Sequence, residues 1–106
     1  IVSLVDFSAL AASMPTTTIT SVKAQSKAFT VKWKKKSGIT GYQIQYSSDK
    51  KLKKNNKSVT VTKQKKTKAT VKKLKSKKKY YVRVRTYKTV NGKKIYSSWS
   101  KSVKTK

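Results

Sequence analysis

From Tyr80 to Tyr87 the chain alternates with a period of two: Tyr80, Val82, Val84 and Thr86 fall on one side, Tyr81, Arg83, Arg85 and Tyr87 on the other. This is the pattern of a strand with one face in a core and one in water. β-branched and aromatic residues fill it, and no Gly or Pro interrupts it. It is expected to be the central strand. The same alternation returns in shorter runs. Ala28 to Trp33 sets Phe29, Val31 and Trp33 inward, and Tyr42 to Tyr46 sets Tyr42, Ile44 and Tyr46 against Gln43 and Gln45. Thr18 to Val22, Ser58 to Thr62 and Ala69 to Val71 supply three brief strands. Asn91-Gly92, a strong hairpin signal, joins the central strand to Lys93–Tyr96, and Ser98 to Val103 completes the last strand.

Seven short strands at this spacing, without helical periodicity or an internal repeat, predict an all-β fold: an antiparallel two-sheet sandwich of immunoglobulin-like type. Leu74 stands six residues before Tyr80. A tyrosine at this corner buries its ring and ties its hydroxyl to upstream backbone. Trp33 and Tyr42 have core parity, so Trp33, Leu74 and Tyr80 are read as structural. Pro15 and the threonines after it mark a boundary. Residues 1–14 are apolar, lack Lys and contain Asp6, and they are set apart from a domain spanning 15–106. Three origins suit the segment: an upstream or added linker, the remnant of a secretion leader, or a short element docking on the domain. It is too short and polar to span a membrane.

Charge changes the picture most. The 106 residues include 27 Lys and 2 Arg against Asp6 and Asp49, a formal net charge of +27. Such an excess repels itself and attracts polyanions. Lys is a hydrated point charge, so its dominance over Arg favours diffuse attraction over shaped, bidentate recognition. Cys and His are absent, which excludes disulfides and metal sites built on those ligands. No cofactor is expected.

The residues Phe29-Thr-Val-Lys-Trp33, Gly41-Tyr-Gln-Ile-Gln-Tyr46, Leu74 with Tyr80, Tyr81-Val-Arg-Val-Arg85 and Tyr96-Ser-Ser-Trp-Ser100 follow one another in a familiar order. From about Pro15 to Lys106 the chain resembles a fibronectin type III domain. Its Lys-rich version is similar to modules of secreted and surface proteins of Gram-positive bacteria, where such domains stand beside others as spacers or adhesive units. The resemblance implies an extracellular or cell-surface location and neighbouring domains in a parent protein. The family's integrin-binding Arg-Gly-Asp is missing, since the corresponding loop is Thr89-Val-Asn-Gly-Lys93.

No catalytic constellation is present. General acid–base chemistry needs a group titrating near neutrality, and neither His nor Glu exists. Asp49 lies in a Lys-rich connection and reads as a solvated loop residue. The lysines are expected to ring both ends of the sandwich, with Lys34, Lys35, Lys36, Lys53, Lys54, Lys77, Lys78 and Lys79 as candidate contacts to an anionic polymer. Teichoic acid, capsule or glycosaminoglycan would suit this charge. Nucleic acid fits least and would be held non-specifically, because no helix can enter a groove and only two Arg could read bases. The bland alternative is a solvated surface whose lysines guard strand edges. One other face stands out: Gln43, Gln45, Tyr81, Arg83, Arg85 and Tyr87 gather both Arg of the chain. Either Arg83 and Arg85 stack on Trp99 as a structural cation–π ladder, as in the similar Trp-Ser box of cytokine-receptor modules, or the face is an adhesive platform for a protein or carbohydrate.

Overall fold

The computed structural model describes residues 14–54, 56–75 and 79–105. Alternating inward and outward side chains build eight strands there and no helix: β1 Ile19–Gln25, β2 Ala28–Trp33, β3 Gly41–Ser47, β4 Lys57–Val61, β5 Lys68–Val71, β6 Tyr81–Val90, β7 Lys93–Tyr96 and β8 Val103–Lys104. They form two sheets, β1-β2-β5 and β4-β3-β6-β7, with β8 also on β6, and every pairing is antiparallel. The fold is the expected all-β sandwich.

Register puts the apolar sides of both sheets face to face. Tyr42, Ile44 and Tyr46 lie opposite Thr86, Val84 and Val82 across the β3–β6 ladder. Their buried members meet Phe29, Val31 and Trp33 from the smaller sheet. Phe29 and Tyr46 make an edge-on ring contact at 5.6 Å, and Trp33 and Tyr42 sit 5.3 Å apart. Full burial of each such aliphatic or aromatic side chain stabilises the fold by about 1.5–3 kcal/mol, so these positions dominate folding. At the corner before β6, Tyr80 packs on this core and its Oη accepts the Lys75 N–H at 3.1 Å. The Leu74 N–H donates to the Lys27 carbonyl at 2.9 Å, fastening that corner to the β1–β2 turn.

Two boundaries differ from the sequence reading. β1 runs on to Gln25 because its backbone keeps pairing with β2, ending at Gln25 opposite Ala28. The turn that follows uses Lys27 at φ 57°, a left-handed residue without the usual Gly or Asn signal. The last strand is also not continuous, which is why there are eight strands and not seven. Between β7 and β8, Ser97 and Ser100 reach β6 with their hydroxyls. The Thr86 N–H donates to Ser97 Oγ and the Val84 N–H to Ser100 Oγ, each at 3.0 Å. In return the Ser97 and Ser100 N–H groups donate to the Thr86 and Val84 carbonyls at 3.0 and 2.8 Å. The edge of β6 is satisfied by backbone donors and serine hydroxyls together, without a regular ladder. The Asn91-Gly92 hairpin forms as expected, with φ 51° and 80° at its two turn residues.

Candidate functional site

The irregular path of residues 97–102 along β6 shapes the outer face of the larger sheet. It frees Trp99 from the ladder and lets its ring lie over the neighbouring strand. Arg85 holds its guanidinium carbon 3.7 Å from the Tyr96 ring centre and 4.1 Å from that of Trp99, and Arg83 lies 4.4 Å from Trp99. The β3–β6 register sets Gln43 beside Arg85 and Gln45 beside Arg83. Each Arg Nε donates to its glutamine Oε1 at 2.7 Å. Tyr96, Arg85, Trp99 and Arg83 thus alternate ring and cation, braced from the far side by two amides. Burial lowers the pKa of both guanidinium groups from the ordinary arginine value, but arginine stays charged throughout the working pH range.

The platform expected on this face loses one member. Tyr87 has outward parity in the sequence, yet it is only 2% exposed. Its ring is enclosed by Tyr96 at 6.1 Å and by the Lys94 ammonium at 5.2 Å. The ring also lies where any side chain on Gly41 would reach it. Tyr81 is half-buried at the other end of the row, between Ser47 and Lys104. Ser97 and Ser100, part of the Tyr96-Ser-Ser-Trp-Ser100 motif, add bonds to the edge of β6 that the motif did not announce. The signal for them is the pair of serines three residues apart around a Trp.

The lysines gather differently. Lys34, Lys35, Lys53, Lys54 and Lys79 are exposed and Lys36 is half-buried, whereas Lys77 and Lys78 lie outside the described residues. Lys34 to Lys36 follow β2 at the end where β5 begins; Lys53 and Lys54 join β3 to β4 at the opposite end. Across the outer face of the smaller sheet, Lys32 stands directly opposite Lys68, an unfavourable juxtaposition of like charges.

Asp49, the acidic side chain among the described residues, does not simply sit in solvent. Its carboxylate accepts the N–H groups of Lys53 at 2.9 Å, Lys54 at 3.1 Å and Lys51 at 3.3 Å, folding the β3–β4 loop about itself. These bonds, that of Lys53 foremost, hold its pKa below the ordinary carboxylate value. The folded loop therefore prefers ionised Asp49. Its contribution is fully present above the unfolded carboxylate pKa of about 3.9 and fades as pH falls through the lower folded value. Amide hydrogen exchange at Lys53 and Lys54 should accelerate over that acid window, and Asp49→Asn should show the fast exchange already at neutral pH. Unchanged protection in the variant would remove Asp49 from this role.

Comparison with known proteins gives one family and a set of folds. The family model for the fibronectin type III domain matches residues 13–106. Comparison with curated protein sequences returns no match. Among solved structures, the FN1–FN3 domains of chicken CNTN1 align with TM-score 0.68 at 24% identity, over 86% of this chain and 32% of that one. An Fn3-like protein from Clostridium thermocellum aligns with TM-score 0.67 at 17% identity, over 90% and 94% of the two chains. A structure described as a myokine aligns with TM-score 0.64 at 16% identity, over 86% and 93%. The chain spans about a third of the chicken fragment, and at these identities the structures speak for the fold alone.

Proposed function

The chain belongs to the fibronectin type III family, and from that premise we propose that it is a spacer and binding module of an exported bacterial surface protein whose lysines hold anionic wall or extracellular polymers. Domains of this family are generally non-catalytic and sit among neighbouring domains. Among the described residues no helix is long and apolar enough to cross a membrane.

The observation that carries the reading is the state of the charge. The chain has 29 cationic side chains and 2 acidic ones. Asp49, the acid among the described residues, turns its carboxylate to backbone amides. With two acids against 29 cations, most of the lysine charge goes uncompensated within the chain, and external anions lower its self-repulsion. The adhesive alternative, with the arginine face meeting one specific partner, has less to support it. Arg83, Arg85, Gln43 and Gln45 already engage one another, and Tyr87 is enclosed.

A competition assay separates the two. Teichoic acid, heparin and duplex DNA of matched charge should displace a labelled polyanion with midpoints within about tenfold of each other, as charge-driven binding requires. A single polymer preferred by more than about a hundredfold, with that preference abolished by substituting Arg83 and Arg85, would establish the adhesive reading instead.

A further inference from the structure

Where β3 ends and β4 begins, the two sheets part and leave a cleft of about 360 Å³. This is near the lower end of the roughly 300–1,000 Å³ typical of small-ligand sites. Tyr46, Tyr80 and Leu74 give it apolar surface, while Lys57, Lys73 and Lys75 line it with ammonium groups. The two tyrosine rings lie 6.3 Å apart at 69°, forming a corner and not a flat wall.

The wall that carries Lys73 and Lys75 is fastened by two consecutive backbone amides. Leu74 is bonded to Lys27, and Lys75 is bonded to the Tyr80 hydroxyl. Lys73 takes φ 62°, a left-handed conformation. Lys57, across the cleft, pairs with Tyr46 in the β3–β4 ladder. Lys57 is thus carried on β4, while Lys73 and Lys75 stand on the β5–β6 connection, whose backbone is bonded at Leu74 and Lys75.

One polar group in the cleft is unused. The Tyr80 hydroxyl accepts the Lys75 N–H, but the Tyr46 hydroxyl has no hydrogen bond with any described residue and is not sealed from solvent. Burial, then the nearby Tyr80, raises the Tyr46 pKa, so it remains a neutral O–H able to donate or accept. The Ser48 hydroxyl shares the rim.

We propose that this cleft is the anchoring subsite for one acidic sugar unit of an anionic polysaccharide. The sulfate, phosphate or carboxylate of that unit meets Lys57, Lys73 and Lys75, its ring lies against Tyr46 and Tyr80, and its hydroxyls reach Tyr46 Oη and Ser48. The inference rests on the polyanion reading above and adds a place to it. Long chains are held mainly by total charge; short fragments reveal the cleft, because they cannot gather distant lysines. A nucleotide would bring the phosphate but a flat base where the tyrosine corner offers room for a puckered ring.

The test uses the full 106-residue chain and a sulfated heparin disaccharide, followed by amide chemical shifts. The disaccharide should move Tyr46, Ser48, Lys57 and Lys73–Lys75. Removing three cleft charges (K57A, K73A and K75A together) should weaken it by at least about tenfold, and removing three charges from the outer face of the smaller sheet (K23A, K32A and K68A) by less than about threefold. All these lysines are exposed, so both variants should keep the dispersed spectrum of a folded sandwich. Tyr46→Phe, which keeps the ring, should weaken the disaccharide while leaving inorganic sulfate unaffected. Equal losses in the two triple variants would overturn the subsite while leaving charge-driven binding of long heparin intact. Inorganic sulfate or a dinucleotide binding the same residues as tightly would overturn the sugar assignment. Failure of long heparin to bind the unaltered chain at low salt would instead bring down the parent reading.

Discussion

Gly41→Ala should lower the melting temperature by about 20 °C or more, because a loss of about 4 kcal/mol in a domain of this size corresponds to that shift. A Cβ at this position would lie 2.0 Å from the Val61 carbonyl oxygen and 3.0 Å from Cε2 of Tyr87. The carbonyl belongs to the partner strand, since Val61 pairs with Tyr42. It cannot rotate away as a side chain would, so β3 and β4 must separate at the start of their ladder. Total stability of such domains is about 5–15 kcal/mol, so the variant would stand near the edge of folding. Gly38→Ala is the control. Gly38 has φ 74° but open space around the added methyl, and only the left-handed conformation is penalised, by about 1–2 kcal/mol. Similar melting temperatures for the two variants would show that the close approach at Gly41 is not what the strand pairing requires.

The second large effect is at the arginine face. Trp99→Ala should destabilise the domain by about 2–4 kcal/mol, combining the lost area of a half-buried indole with two cation–π contacts of about 0.5–2 kcal/mol each. Guanidinium groups 4.1 and 4.4 Å from the ring would lose a face; Arg83 would keep only Gln45, and Arg85 would keep Gln43 and the Tyr96 ring. A double-mutant cycle with Arg85→Ala isolates the stacking. Coupling of about 0.5–2 kcal/mol is expected, and additive losses would mean that Trp99 contributes area alone. A matching drop in polyanion affinity is not expected from Trp99→Ala, because the lysines are elsewhere.

The sandwich was legible because its information is local. Phe29-Thr-Val-Lys-Trp33 and Tyr81-Val-Arg-Val-Arg85 declare their inward faces by alternation, and Asn91-Gly92 announces a turn that needs two left-handed residues. What stayed hidden depends on partners distant in sequence. The Trp-Ser motif marks Ser97 and Ser100, but not that their hydroxyls accept the β6 amides of Thr86 and Val84. Tyr87 reads as outward by parity, and only the nearness of Tyr96, Lys94 and Gly41 encloses it. Asp49 looked like a solvated loop residue because bonds to amides two to five residues ahead depend on how the loop folds. The cleft of Tyr46, Lys57 and Lys73 draws on three separate segments that no local motif connects.

The central claim is that unneutralised lysine charge, carried on a rigid sandwich, is what this domain presents to its surroundings. Its most direct test is the affinity for long heparin measured across salt. If lysines displace condensed counterions, log K should fall linearly with log salt, losing about a hundredfold or more between about 50 and 200 mM. An affinity that changes by less than about threefold over that range would contradict the claim and move the binding to shaped, uncharged contacts.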